Sequence, residues 1–192
     1  MNRGSLIVFE GIDRSGKTTQ ARLLYQRLAG KAELMKFPND SSPLGQHIRK
    51  ILSKEIEAIK CPQTMHLLFT ANRWEYSQQI NDILDSGKHV IIDRYSVSGM
   101  VYSIANGLSL SWVQNAENGL PIPDITVFLD ITPESASQRT EYGNDLYENI
   151  DFQRKVYQTY GKFLNSSWII IDAEKKSIAE ISDIVYNHII DK

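Results

Sequence analysis

The chain is expected to fold as an α/β, three-layer sandwich, with a five-stranded parallel sheet carrying helices on both faces. Three observations predict it. Short apolar runs alternate along the 192 residues with stretches of helical period. The runs are almost unbroken Ile, Val, Leu and Phe, the composition of strands buried on both faces. No linker, repeat or low-complexity stretch interrupts them, so a single domain over residues 1–192 is expected.

Leu6-Ile7-Val8-Phe9 reads as the first strand, and residues 17–29 as a helix with Ala21, Leu24 and Leu28 on one stripe and Gly30 as its stop. Glu33–Phe37 alternates as a second strand. Pro38-Asn39-Asp40-Ser41-Ser42-Pro43 breaks the chain into a loop. From Leu44 a helical period runs through Ile48, Ile51 and Leu52 to Ile56. Pro62 opens and Gly87 closes what reads as one helix of about 24 residues, roughly 36 Å long. Its upper half is apolar on more than one side, as a subunit interface would require.

Val90-Ile91-Ile92-Asp93 is a buried strand ending in a carboxylate, followed by a helix to about Ala105 and a further segment with Trp112. Gly119-Leu120-Pro121-Ile122-Pro123-Asp124 turns into a fourth strand, Ile125–Ile131, and Thr132-Pro133-Glu134 opens another helix. Residues 139–148 are polar without a stable period, which suits a short lid. A helix over 151–164, a fifth strand over Trp168–Asp172 and a last helix over Ile178–Ile190 complete the chain.

Composition excludes several classes. A net charge of −2 gives no footprint for wrapping nucleic acid. One cysteine, Cys61, cannot build an internal disulfide framework or a cysteine-rich zinc site, which suits a reducing compartment. No apolar run is long enough to cross a bilayer, and the first strand follows too closely on Met1 for a signal peptide. A cytoplasmic protein is expected, with the nucleus as the other compartment.

Gly11-Ile12-Asp13-Arg14-Ser15-Gly16-Lys17-Thr18 fits G-x-x-x-x-G-K-[ST] between a strand and a helix, the setting this phosphate-binding loop (P-loop) needs. Glycines let the loop curl its N–H groups inward, toward the positive end of the following helix. Lys17 is placed to reach the β- and γ-phosphates, and the Thr18 hydroxyl to sit on Mg²⁺. A nucleoside triphosphate is therefore the expected ligand of a P-loop NTPase fold. Switch GTPases usually add Asn-Lys-x-Asp, which is absent, and the chain is short for a motor, so a small kinase is the class left.

Such a kinase needs an acceptor pocket. Phe69 and Arg73 stand four apart and share a helix face, where a base stacks on the ring and the guanidinium donates to a carbonyl oxygen. The spacing fits equally a core ring beside a surface arginine. Asp93-Arg94 offers an anion for the Mg²⁺ shell and a cation for a phosphate, or else a structural ion pair.

Phe37-Pro38, Leu68-Phe69-Thr70-Ala71-Asn72-Arg73-Trp74-Glu75, Asp93-Arg94-Tyr95, Gly119-Leu120-Pro121-Ile122-Pro123-Asp124 and Tyr147-Glu148-Asn149 together resemble the thymidylate kinase family over about residues 4–190. The arginine in the P-loop resembles the family's eukaryotic-like type. The resemblance implies ATP and dTMP as substrates, Mg²⁺ as cofactor and a homodimer. It implies that Asp13 contacts the 3′-hydroxyl of dTMP, that Arg14 bears on the migrating phosphoryl, that Phe69 lies under thymine and that Arg73 reads its O4. It further implies that Arg94 clamps the dTMP phosphate, with Phe37, Ser98 and Gly99 in the same pocket. Tyr102 would stand beside the sugar as a bar to a 2′-hydroxyl, and Tyr147 at the monophosphate end of the lid. ATP contacts are implied at Gly11, Asp13, Arg14, Ser15, Gly16, Lys17, Thr18, Thr19 and Arg139, and metal contacts at Thr18 and Asp93.

Two departures stand out. Aligned without gaps, Asp40 occupies a position where many relatives carry an arginine, with Arg49 as the nearest substitute. Leu146 likewise replaces an arginine of some relatives. An acid beside a dianionic phosphate repels it, so Asp40 is expected to point away, or else the pocket is differently organised. The rivals are a broader deoxynucleoside monophosphate kinase, a deoxynucleoside kinase with Asp40 as general base, and a P-loop protein that binds nucleotide without turnover.

Overall fold

The computed structural model describes residues 3–139, 143 and 145–190. Five strands, β1 (Leu6–Glu10), β2 (Ala32–Lys36), β3 (His89–Asp93), β4 (Ile125–Asp130) and β5 (Ile169–Asp172), form one parallel sheet in the order β2-β3-β1-β4-β5. Phe9 faces Asp93 across one ladder and Val127 across the other, so β1 is central. The sequence order leaves β1 toward β3 on one side and β4 on the other, so the carboxyl end of β1 is where an open α/β sheet forms its ligand crevice.

The apolar runs still sort their side chains by the two-residue period of a strand. Ile7, Phe9 and Ile91 join the core beneath α1 (Lys17–Arg27), α8 (Ile150–Tyr160) and α9 (Ile178–Ile190). Leu6, Val8, Val90 and Ile92 join the opposite core, with Ile80 and Leu84 of α4 (Ser77–Asp85). Both faces of the sheet are therefore covered, as the unbroken apolar runs Leu6–Phe9 of β1 and Val90–Ile92 of β3 require.

The long helix expected from Pro62 to Gly87 is two helices, α3 (Pro62–Glu75) and α4, meeting at Tyr76. Tyr76 has φ −107° and donates its N–H to Arg73 at 3.2 Å, three residues back rather than four, while its ring meets the Phe37 ring edge-on at 5.9 Å. Anchoring that ring breaks the helical ladder, a tertiary effect that periodicity does not carry. The helical period expected to run to Ile56 also stops early. α2 (Pro43–Leu52) ends because Lys54 takes φ 62°, left-handed backbone, and the Ile56 N–H turns back to Lys50 at 3.3 Å. The stops at Gly30 and Gly87 have φ of 85° and 87°, as a C-terminal cap requires. The remaining helices are α5 (Ser96–Ala105), α6 (Leu110–Glu117) and α7 (Pro133–Ser137). Of the lid expected over 139–148, residues 140–142 and 144 lie outside the described residues.

Candidate active site

The loop after β1 reverses the chain through Gly11 (φ 142°), Arg14 (φ 61°) and Gly16 (φ 103°) before α1 begins at Lys17. A Cβ on Gly11 would come within 2.8 Å of both the Leu129 carbonyl and Ser15 Oγ, so the turn closes only around glycine. No described side chain caps α1 and no acidic residue stands in its first turn, so its N-terminal N–H groups remain available to an anion.

Lys17 is 5% exposed. Its Nζ donates to the Ile12 carbonyl at 2.6 Å and to Ser15 Oγ at 3.1 Å. Burial, and then the neighbouring Arg94 charge, lower its pKa to about 7. The side chain is thus folded over its own loop, with a proton it holds weakly.

Beside it, Thr18 Oγ1 donates to Asp93 Oδ2 at 2.5 Å, and Asp93 Oδ1 is buried with no hydrogen-bond partner among the described residues. A buried acceptor left open costs free energy unless something occupies it. Among the described residues no group of three or more His, Cys, Asp or Glu gathers to hold a metal. A hydroxyl, one carboxylate and phosphate oxygens are the oxygen set Mg²⁺ takes, with water completing its shell, so Thr18 and Asp93 fit this cation.

The second wall is built from α5 and α8. Arg94 has φ 65° and spans the P-loop: Nη1 donates to the Gly11 carbonyl at 2.9 Å and to Ser98 Oγ at 3.2 Å, and Nη2 donates to Asp13 Oδ1. Its guanidinium lies 5.3 Å over the Tyr102 ring, and burial drives the Tyr102 hydroxyl pKa well above its ordinary value. The other Asp13 oxygen accepts from Gln153 Nε2 at 2.7 Å, and Gln153 Oε1 accepts the Asp13 N–H at 3.1 Å. Gln153 carries no motif signal, and only the fold brings it to Asp13.

Glu10 is a second group that sequence reasoning missed. It looks like the end of an apolar strand, yet it is fully buried. One oxygen accepts the N–H groups of Tyr95 and Ser98 at 3.1 Å each, and the other accepts the Tyr160 hydroxyl at 2.9 Å. The carboxylate thereby caps α5, which carries Ser98, Gly99 and Tyr102.

Phe69 and Arg73 share one face of α3 and both line the cleft. Arg73 is no surface residue. It is buried, and Nε donates to Glu117 Oε2 at 2.9 Å while Nη2 bonds Glu117 Oε1 and, at 3.2 Å, Thr70 Oγ1. Gly99 makes room for it, because a Cβ there would stand 2.4 Å from Nη2 and 2.9 Å from Nη1. Glu117, at the end of α6, is a third group that no motif announced.

The lid end is held by Glu148, whose Oε1 accepts Arg14 Nε at 2.6 Å and whose Oε2 accepts the Gly143 N–H at 2.9 Å. Tyr147 stacks on Phe152 at 5.2 Å and meets Tyr102 edge-on at 5.6 Å, and burial brings its hydroxyl to a pKa of about 12. Arg139 reaches the outer side of the loop, donating to the carbonyls of Arg14 at 2.6 Å and Ala173 at 3.2 Å. Leu146 donates its N–H to the Leu52 carbonyl at 2.9 Å, tying the lid end to α2.

Asp40 turns out of the site. It pairs with Lys36 at 3.2 Å, which lowers its pKa, and it does not line the cleft, whereas Lys36 and Arg49 do. A role for Asp40 as general base therefore has no geometric support. Every other residue expected at the site, except Gly11 and Ser15 behind the loop, lines one cleft of about 900 Å³. That is ample for two nucleotides side by side.

The family model described as thymidylate kinase matches residues 9–185. The chain is 42% identical over 188 residues to the thymidylate kinase of Plasmodium falciparum, covering 95% of this chain and 89% of that one. It is 39% identical over 188 residues to that of Dictyostelium discoideum, covering 95% and 83%. Among solved structures, a thymidylate kinase from Candida albicans, described as having broad substrate specificity, superposes with a TM-score of 0.90. The two are 37% identical over 97% of this chain and 91% of that one.

Proposed function

The chain belongs to the thymidylate kinase family, and from that premise we propose that it transfers the γ-phosphoryl group of ATP to dTMP, giving dTDP and ADP. One observation carries the chemistry. The Asp13–Arg94 pair and the Phe69–Arg73 face open into the same cleft as Lys17 and Thr18, so an acceptor nucleotide and a triphosphate meet at the P-loop.

The acceptor is a phosphate oxygen, already ionised near neutral pH, so no side chain has to remove a proton. Catalysis is positioning and charge neutralisation. Arg94 and Asp13 hold the monophosphate and sugar of dTMP, Phe69 and Arg73 hold the base, and Tyr102 crowds the sugar's 2′ position. Phe37, Ser98, Gly99 and Tyr147 complete the acceptor wall. Lys17 turns from the Ile12 carbonyl to the triphosphate, and Arg14 exchanges Glu148 for the migrating phosphoryl. The loop from Gly11 through Ser15 and Gly16 to Thr19, with Arg139, holds ATP. Thr18 and Asp93, partly through water, would hold Mg²⁺, which would supply positive charge to the triphosphate.

We extend the proposal to a single domain over 1–192 with its lid near 139–148, to a homodimer, and to a cytoplasmic enzyme, the nucleus being the other compartment. Leu67 and Trp74 of α3 and Leu110 and Trp112 of α6 are exposed large apolar residues on neighbouring helices, which supports association through that side. No described helix is long and apolar enough to cross a membrane.

A coupled ADP-release assay with ATP, Mg²⁺ and dTMP, dUMP, dGMP, dCMP, UMP, AMP or thymidine tests this function. Turnover on dTMP with little on UMP or thymidine is expected. Turnover on thymidine but not dTMP overturns it. Activity spread over deoxymonophosphates makes the enzyme a broader deoxynucleoside monophosphate kinase, the alternative kept open by the relative from Candida albicans.

A further inference from the structure

Arg73 carries five N–H donors in a fixed plane. Glu117 takes the Nε donor at 2.9 Å and one Nη2 donor, and Thr70 Oγ1 takes an Nη2 donor at 3.2 Å. Nη1 makes no hydrogen bond to any described residue and is not among the buried unpartnered atoms, so it is open to the cleft that Arg73 lines. The Glu117 carboxylate has only 5% of its side chain exposed, and its Oε1 also accepts the Thr70 hydroxyl at 2.7 Å. The surroundings are closed as well. His66 is buried, with Nδ1 bonded to Ser103 Oγ at 2.8 Å and Nε2 at 3.5 Å from Glu117 Oε1.

We propose that Glu117 is a positioning residue that sets which bases the cleft accepts, by fixing which edge of the Arg73 guanidinium faces the base. The proposal rests on the dTMP kinase function above. With Nε and Nη2 turned to Glu117, only the two Nη1 donors face the acceptor. A base that presents a carbonyl oxygen there accepts from them. A base that presents an exocyclic amine meets donor against donor and leaves the guanidinium edge desolvated and unpaired. Glu117 offers such an amine no acceptor in exchange, because both its oxygens are already spent on Arg73 and Thr70. Discrimination between a 4-oxo and a 4-amino pyrimidine thus depends on a carboxylate that never touches the nucleotide.

Glu117→Gln tests it, since the amide keeps the size but accepts from Arg73 through one oxygen only and sets an NH₂ against the other nitrogen. The steady-state constants for ATP, dTMP and dCMP are measured with the full chain, beside a thermal melt. Expected is a rise of tenfold or more in the KM for dTMP, little change in kcat or in the KM for ATP, and a fall of tenfold or more in the dTMP/dCMP ratio of kcat/KM. Glu117→Asp, which keeps the charge and withdraws it by one methylene, is expected to move the same quantities less. It serves as the test if the glutamine variant does not fold. A folded variant with the wild-type dTMP/dCMP ratio overturns the proposal, as does an equal loss toward both nucleotides and ATP, which is what a purely structural carboxylate would give. A wild-type chain that does not phosphorylate dTMP overturns the enzymatic function itself, a separate outcome read from the first assay.

Discussion

Thr18 Oγ1 and Asp93 Oδ2 lie 2.5 Å apart, joining the start of α1 to the end of β3, and they leave the other Asp93 oxygen buried without a described partner. The helix that follows β1 and the end of the adjacent strand β3 thus deliver a hydroxyl and a carboxylate to one point. Asp93→Asn is expected to raise the Mg²⁺ concentration for half-maximal activity by about tenfold or more, the usual cost of losing a group from a metal's surroundings. A Mg²⁺ titration at fixed ATP measures it. An unchanged midpoint would assign Asp93 to a structural pair.

Lys17 is expected to take up a proton when ATP binds. Its pKa near 7 in the free protein leaves it mostly neutral at pH 8, and a triphosphate beside it favours the charged form. Binding heats measured at pH 8 in two buffers of different ionisation enthalpy should show uptake of most of one proton, absent in Lys17→Met. Buffer-independent heats would refute it.

The same shift has a stability sign. Between pH 7 and 10.5 the unfolded chain binds a proton that the folded one lacks, so unfolding free energy rises with pH. The cost of burying Lys17 is on the order of 4 kcal/mol at pH 7 and vanishes above 10.5. Lys17→Met should therefore raise the Tm of the nucleotide-free protein at pH 7, by an amount that shrinks toward pH 10.

Arg14→Ala and Lys17→Ala are each expected to lower kcat by about 10²-fold or more, if both neutralise charge on the migrating phosphoryl as proposed. Single-turnover rates at saturating substrates measure this. A variant with unchanged kcat takes that residue out of the catalytic set.

Gly99→Ala tests the seat of Arg73. The new Cβ would lie 2.4 Å from Nη2, whose position Glu117 and Thr70 hold, so the guanidinium must leave its place. The KM for dTMP should rise by about tenfold or more while the KM for ATP holds. Equal KM values for dTMP in variant and wild type would mean that Arg73 does not bind the base.

The Arg49 side chain makes no hydrogen bond to a described residue, and its nearest described carboxylate is Asp145 at 3.9 Å, whereas Asp40 is spent on Lys36. Arg49→Ala should raise the KM for dTMP roughly fivefold, the worth of one half-exposed charge contact. Arg49→Lys should recover most of it. If the alanine variant binds dTMP normally, Arg49 is no part of the phosphate clamp.

The loop from Gly11 to Thr18 was legible because its geometry is local. Glycines at two positive-φ positions, a lysine and a hydroxyl at fixed offsets, and a strand and helix on either side leave the backbone little else to form. The sheet was legible for a similar reason, since runs such as Val90–Ile92 have no polar face to give to water. The break at Tyr76 was not, because it depends on Phe37, a residue from another element that the helical period knows nothing of.

By itself the sequence determined the α/β class, the phosphate-binding loop and the residues that resemble a dTMP pocket, since each is written in neighbours or in short fixed spacings. Only the tertiary structure decided what holds those residues in place. Glu117 lies 44 positions from Arg73 in the chain, Gln153 140 from Asp13, and Glu10 88 from Ser98. Asp40, suspicious in sequence, is turned to Lys36. A buried charge must find its partners in space rather than along the chain, and no local pattern encodes where folding will bring them.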